Sequence, residues 1–190
     1  MRKEVRNRGD AMELRDWLER EQDLISGRWR SEVRARLGRL SDPEDRLLTS
    51  FLRHLVEFLP YCLSQPKDHG VEVWQQAAHL YGSLALRRGL AAGEVVEEMG
   101  LLREGILKLL FDEGPRRWED RPFQRELMAL NRCLDRAVVA ASVAYVDDLF
   151  FAHLQGSGVP EGLTDEVNEE TMAQLNSLRE ELDPEGSRHG

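Results

Sequence analysis

The sequence is short of most features that announce a chemistry. Its 190 residues contain only two cysteines, Cys62 and Cys133. They lack metal-ligand spacing and fall in apolar-periodic segments, so the expectation is two reduced core thiols of a cytoplasmic protein. No uninterrupted apolar run reaches the ~18 residues of a membrane span. The charged start MRKEVRNRGD is followed by no apolar segment of the kind a secretory signal carries. A cytoplasmic chain without membrane insertion is therefore expected. No G-x-S-x-G, Walker A, H-E-x-x-H or C-x-x-C occurs, which removes the commonest nucleophile, phosphate and zinc signatures. None of the five histidines has a glutamate three residues before it, so the di-iron helix motif is missing too. DPEDR and DEVNEE do not match the spacing of a calcium loop. His79 is expected to face solvent and His54 the border of an apolar stripe, a poor start for a haem ligand. The expectation is no enzyme, no metal and no cofactor.

Basic residues, 26 in number, are outweighed by 35 acidic ones. The net charge is −9, against what a nucleic-acid binder needs. It is uneven: residues 1–40 hold 11 Lys+Arg against 8 Asp+Glu, whereas residues 156–190 hold 2 against 9. The acidity is concentrated in the tail.

What the sequence does have is apolar residues at steps of three and four, the helical period. A first helix starts after Asp10, a suitable N-cap, with the stripe Leu14, Trp17, Leu18, Ile25, Trp29, Val33 and Leu37. SDPED at 41–45 interrupts it. A second carries Leu48, Phe51, Leu52, Leu55, Leu59 and Cys62, with Pro60 placed to kink or end it. SQPKDHG at 64–70 reads as a loop. A third carries Trp74, Ala77, Ala78, Tyr81, Leu84 and Ala85 and stops at RRGL, where Gly89 suits the left-handed position and Leu90 packs back. A fourth holds Val95, Val96, Met99, Leu102, Ile106, Leu109 and Leu110. A fifth runs from Phe123 to about Leu154. QGSGVPEG then reads as a flexible linker. Beyond it, Val167, Leu175, Leu178 and Leu182 line one side of a short acidic helix. The fold class is all-α: a single bundle of about five helices, with globin-like packing as one arrangement, plus a short C-terminal amphipathic helix. Residues 1–155 form the domain, and 156–190 the linker and tail.

One charge breaks the pattern. At 100° per residue, Arg103 falls about 40° from Met99 and about 60° from Ile106, inside the apolar arc. A core-facing guanidinium needs a partner. Asn131, Asp135 and Ser142 fall along one edge of the fifth helix, so Arg103 is expected to pair with Asp135, with Asn131 completing the network and Glu98 competing. The arginine pairs Arg87–Arg88 and Arg116–Arg117 sit at helix ends and read as dipole-complementing or solvated residues. Trp74, Tyr81, Met99 and Tyr145 are candidate lining of a small-molecule pocket between the third, fourth and fifth helices.

Three segments, YGSLALRRGL, EVVEEMGLLREGIL and LNRCLDRAVVAASVAYV, occur in an order that resembles the N-terminal domain of RsbT co-antagonist proteins of the RsbR/RsbRD type. That cytoplasmic sensory module also stands ahead of bacterial histidine kinases. The resemblance spans roughly residues 11–150 and includes Gly82, Gly89, Val96, Glu98, Leu102, Arg103, Asn131, Asp135, Ala137, Ser142 and Tyr145. It departs at Tyr81 and Ala85, where the family often has histidine and arginine. No STAS domain or kinase box follows in this sequence. The resemblance implies a non-catalytic sensory or adaptor domain of a bacterial stress-response or two-component pathway. Its partners would be a histidine kinase, a STAS-domain protein or a response regulator, with a homodimer as a further option. In that setting Glu98, Arg103, Asn131, Asp135 and Ser142 would form a signalling ion-pair network, and Val167, Leu175, Leu178 and Leu182 a partner-binding tail.

Overall fold

The computed structural model describes residues 13–37, 42–64, 67–115, 118–156, 158 and 162–182. Asp10 and the Arg116–Arg117 pair lie outside them. Seven α-helices follow in order: α1 (Leu14–Arg20), α2 (Gln22–Leu37), α3 (Asp42–Phe58), α4 (Lys67–Arg87), α5 (Ala92–Glu113), α6 (Arg121–Leu154) and α7 (Asp165–Leu182). There is no strand among the described residues. The chain is an all-α bundle.

Two helix boundaries differ from the sequence reading. The first expected helix is two, parted at Glu21. The apolar stripe skips from Leu18 to Ile25 across Glu21 and Gln22. A break there lets α1, with its buried Leu14, Trp17 and Leu18, settle against Leu59–Leu63 and α6 while α2 lies along α3 and α5. The second helix ends near Pro60 as expected, stopping at Phe58 and tightening into a 3-10 turn over Leu59–Leu63. Pro60, which has no N–H to give to an α-helical ladder, sits in that turn. Much of the expected loop at 64–70 is helical, since α4 begins at Lys67.

Gly89 does end α4 as expected. Its φ is +73°, its N–H donates to the Leu86 carbonyl at 3.0 Å, and the Leu90 N–H donates to Ala85 at 3.1 Å. This pair of bonds satisfies two orphan carbonyls and folds Leu90 back into the core. Helix α5 starts immediately after, with the Glu94 carboxylate accepting the Ala91 N–H at 2.6 Å.

Helices α4 and α6 form the closest-packed pair. Ala77, Ala78, Ala85, Ala137, Ala141 and Ala144 are all fully buried. At Gly82 the backbone meets the Ala141 carbonyl so closely that there is no room for a Cβ. Cys62 in the 3-10 turn and Cys133 on α6 are bonded to each other, their Cα atoms 6.6 Å apart. This corrects the expectation of two free thiols; the spacing suits a disulfide, and the pairing joins segments 71 residues apart.

Helix α7 lies back on the bundle. Its Leu175 and Leu178 are buried, while Val167 and Leu182 are half-buried. Arg179 reaches Glu57 of α3 at 2.9 Å, and His69 of α4 bonds the Glu181 carbonyl at 3.2 Å. The incoming linker is tied by the Gly162 N–H to the Arg87 carbonyl at 3.1 Å.

Helix α6, at 34 residues, spans about 51 Å. By length and composition it could cross a membrane: its most apolar 18-residue window has a mean hydropathy of 1.5, and 28% of that window is buried. Asp147 and Asp148 divide this stretch, so no uninterrupted apolar run betrays it.

Candidate functional site

The anomalous Arg103 does meet Asp135, across the seam between α5 and α6. The pair sits at the solvent edge, with side-chain exposures of 34% and 64%. It is therefore a surface pair in water's dielectric, where such contacts stabilise by roughly 0–1 kcal/mol. The rest of the expected network is not assembled there. Asn131 donates to the Leu127 carbonyl at 3.0 Å and Ser142 to the Val138 carbonyl at 2.8 Å, each within α6 itself. A short polar side chain in a helix finds its own carbonyl four residues back before it finds a neighbouring helix.

Glu98 belongs to a different and more deeply buried cluster. Arg88 grips its carboxylate with two bonds, 2.9 Å to Oε1 and 3.1 Å to Oε2. Each of the two side chains is only 3% exposed. The Tyr81 hydroxyl donates to Oε2, and Trp29 Nε1 donates to the Glu98 backbone carbonyl at 2.8 Å. The Arg88 guanidinium also stands 5.9 Å from the Tyr81 ring centroid, within range of a cation–π contact. Phe51 and Trp29 pack against that ring at 5.6 and 5.8 Å. The cluster thus joins α2, α3, the end of α4 and α5.

Arg88 is accordingly no solvated helix-end residue. It follows Tyr81 by seven positions and Trp74 by fourteen, so it continues the buried face of α4. That spacing was the available signal. Burial opposes its charge, but Tyr81 and Glu98 outweigh burial and hold its pKa above the ordinary value. Burial, and then the negative charge of Glu98, push the Tyr81 phenol far above its usual 10.0. An unfolded chain releases that proton near pH 10 and the folded chain keeps it, so this contribution is complete below pH 10 and is lost as pH rises beyond it. Tyr81→Phe is expected to flatten the alkaline fall in stability, while lowering stability at neutral pH by about 1.5–3 kcal/mol, the range for a hydrogen bond to a charged group. Urea unfolding at about pH 8 and about pH 11 checks this; parallel losses in both proteins would refute it.

The candidate pocket residues are packed rather than open. Trp74 and Tyr81 are fully buried, Met99 is 2% and Tyr145 7% exposed. Trp74 Nε1 donates to the Cys133 carbonyl at 3.2 Å and the Tyr145 hydroxyl to the Leu90 carbonyl at 2.7 Å. A groove of about 650 Å³ lies elsewhere, between α4, α6 and α7, lined by Gln75, His79, Ala140, Gln174, Ser177 and Glu181 among others. It exists only because α7 supplies one wall, which the sequence did not reveal.

The buried cluster holds its carboxylate and guanidinium together out of reach of solvent through the two Nη atoms of Arg88, while Arg88 Nε is buried without a hydrogen-bond partner. Among the described residues no group of His, Cys, Asp and Glu could hold a metal ion. Compared with family models, curated proteins and solved structures, the chain matches none.

Proposed function

We propose that this chain is a non-catalytic adaptor or sensory domain that acts by binding another protein. The observation that carries the reading is the seat of α7. Its apolar face is held on α3 and α4 chiefly by Leu175 and Leu178, with the Arg179–Glu57 ion pair at the rim. Burying a leucine contributes about 1.5–3 kcal/mol, and an exposed ion pair adds little. A docked helix of that strength on a Gly/Ser leash can exchange its intramolecular seat for a groove on a partner. The resemblance to RsbT co-antagonist N-terminal domains supports the same reading. On it, the protein works in a bacterial stress-response or two-component pathway, and its partner is a histidine kinase, a STAS-domain protein or a response regulator. Release of α7 is then the signal, and the groove of about 650 Å³ beside it is where a small molecule would bias the docked state, the alternative reading of this domain as a ligand sensor.

The test is crosslinked capture from native lysate with three full-length baits. Glu57→Arg repels Arg179 without touching the apolar face of α7, and is expected to capture more partner than the wild type. Leu175→Asp with Leu178→Asp destroys that face and is expected to capture none. Equal recovery by all three baits would overturn the proposal.

A further inference from the structure

The two cysteines meet at one corner of the bundle. Cys62 lies in the 3-10 turn and Cys133 on α6, each 2% exposed, and they are bonded to each other. The turn packs on α1, α4 and α6, and its junction with α4 is tight. Gly70 leaves no room for a Cβ against the Tyr61 carbonyl, and Cys62 Sγ lies 3.9 Å from the Gly70 carbonyl oxygen. Both polar tethers of α7 spring from the same corner. Glu57, which holds Arg179 at 2.9 Å, stands five residues before Cys62. His69, which holds the Glu181 carbonyl at 3.2 Å, stands seven residues after it.

We propose that the Cys62–Cys133 pair is a redox switch for the seat of α7: the disulfide keeps the corner on α6 and α7 docked, and reduction loosens the corner and releases α7. This names the regulation of the docked helix, and so rests on the adaptor reading. The reducing step is exchange with a dithiol. One thiolate of the dithiol attacks a sulfur of the pair and displaces the other cysteine as a thiolate, which takes up a proton. The second thiolate of the dithiol then closes on the mixed disulfide and displaces the remaining cysteine, so the dithiol leaves oxidised by two electrons. Hydrogen peroxide drives the return. One cysteine thiolate takes an oxygen and becomes a sulfenic acid as hydroxide leaves; the second thiol then displaces water as the S–S bond re-forms.

The effect is local because sulfur does not hold the rest of the seam. Beyond the corner, α4 is fixed to α6 by the Trp74 bond to the Cys133 carbonyl and by the close approach at Gly82. Neither depends on oxidation state. A 3-10 turn has poorer hydrogen-bond geometry than an α-helix, so the turn is the side that yields. Two thiols also need more room than one disulfide, in a site with almost no exposure. As the turn shifts from α6, Glu57 on one side of it and His69 on the other shift too. The exposed ion pair and the single hydrogen bond they make together bias α7 toward its seat by roughly tenfold.

The test uses the full-length chain and needs no partner. Hydrogen–deuterium exchange is followed in the wild type after hydrogen peroxide, after dithiothreitol, and after dithiothreitol followed by peroxide. Reduction is expected to speed exchange over Asp165–Leu182 roughly tenfold, to leave the α4–α6 crossing at Gly82 and Ala141 unchanged, and to be undone by peroxide. Cys62→Ala with Cys133→Ala is expected to exchange at the reduced rate under all three treatments. Equal α7 exchange in the oxidised and reduced wild type overturns the proposal. So does a loss of protection spread evenly over every helix, which would make the bond a general brace, and so does a bond that excess dithiothreitol leaves closed in the folded chain. Redox-dependent α7 exchange in a chain that captures no partner sustains the switch and sinks the adaptor reading. A partner captured with α7 exchange blind to reduction does the reverse.

Discussion

Glu98→Ala is expected to lower the folding free energy by about 3–5 kcal/mol, the range for breaking a buried ion pair from one side. The size follows from what is left behind. Arg88, 3% exposed at its side chain, loses both carboxylate bonds, and the Tyr81 hydroxyl loses its acceptor in the same step. Water does not reach either group while the bundle keeps its packing, so the desolvation already incurred goes uncompensated. Helix α5 can respond only by drawing away from α4. The double variant Arg88→Met/Glu98→Leu removes both charges and is expected to recover most of the loss, because apolar side chains of similar size do not need the lost bonds. Urea titrations of the wild type, Arg88→Met, Glu98→Leu and the double variant yield the coupling energy directly. A coupling below about 1 kcal/mol would mean the pair behaves as an ordinary surface contact.

The second large effect comes from a single missing methyl group. Gly82→Ala is expected to destabilise by about 2–3 kcal/mol, through overpacking at the α4–α6 crossing. The obstacle is the Ala141 carbonyl, which is backbone and cannot swing aside as a flexible side chain would. The helices must move apart, and the flanking alanine contacts loosen with them. Gly100→Ala in α5 is the internal control, because nothing lies within 4 Å of a Cβ there. An alanine gained in a helix with free space stabilises by roughly 0.5–1 kcal/mol. Opposite signs for the two substitutions in thermal melts would establish the close approach; equal signs would refute it.

These two sites were unequally legible in the sequence. Periodic apolar residues revealed every major helix, because steps of three and four gather side chains onto one face only when the chain is helical. The Gly89 stop was equally readable, since its requirement is local. The cut at Glu21 was not, because it depends on where α1 must go in space. Arg103 drew attention by standing on an apolar arc, and its pairing with Asp135 follows from facing edges. Arg88 was harder: at a helix end, an arginine has a common and innocuous role, and only its seven-residue spacing from Tyr81 placed it on the buried face. Glu98 stands at a stripe margin, where it competes with Asp135 for Arg103 in the pattern; its actual partner, Arg88, lies past the end of α4. The Cys62–Cys133 pairing joins residues 71 apart, for which no local pattern exists. The groove beside α7 was invisible because it is made by a long-range docking event.

The contact between the two ends of the domain also sets an order in time. The Leu14 N–H, at the very start of α1, donates to the Glu126 carboxylate 112 residues later, at 3.1 Å. A ribosome adding about 5–20 residues per second needs roughly 6–22 seconds to cover that interval. Until then α1 can settle only on the Leu59–Leu63 turn, and Trp17, fully buried in the finished molecule, lacks the cover that α6 adds. The earliest helix made is thus among the last to be fully enclosed.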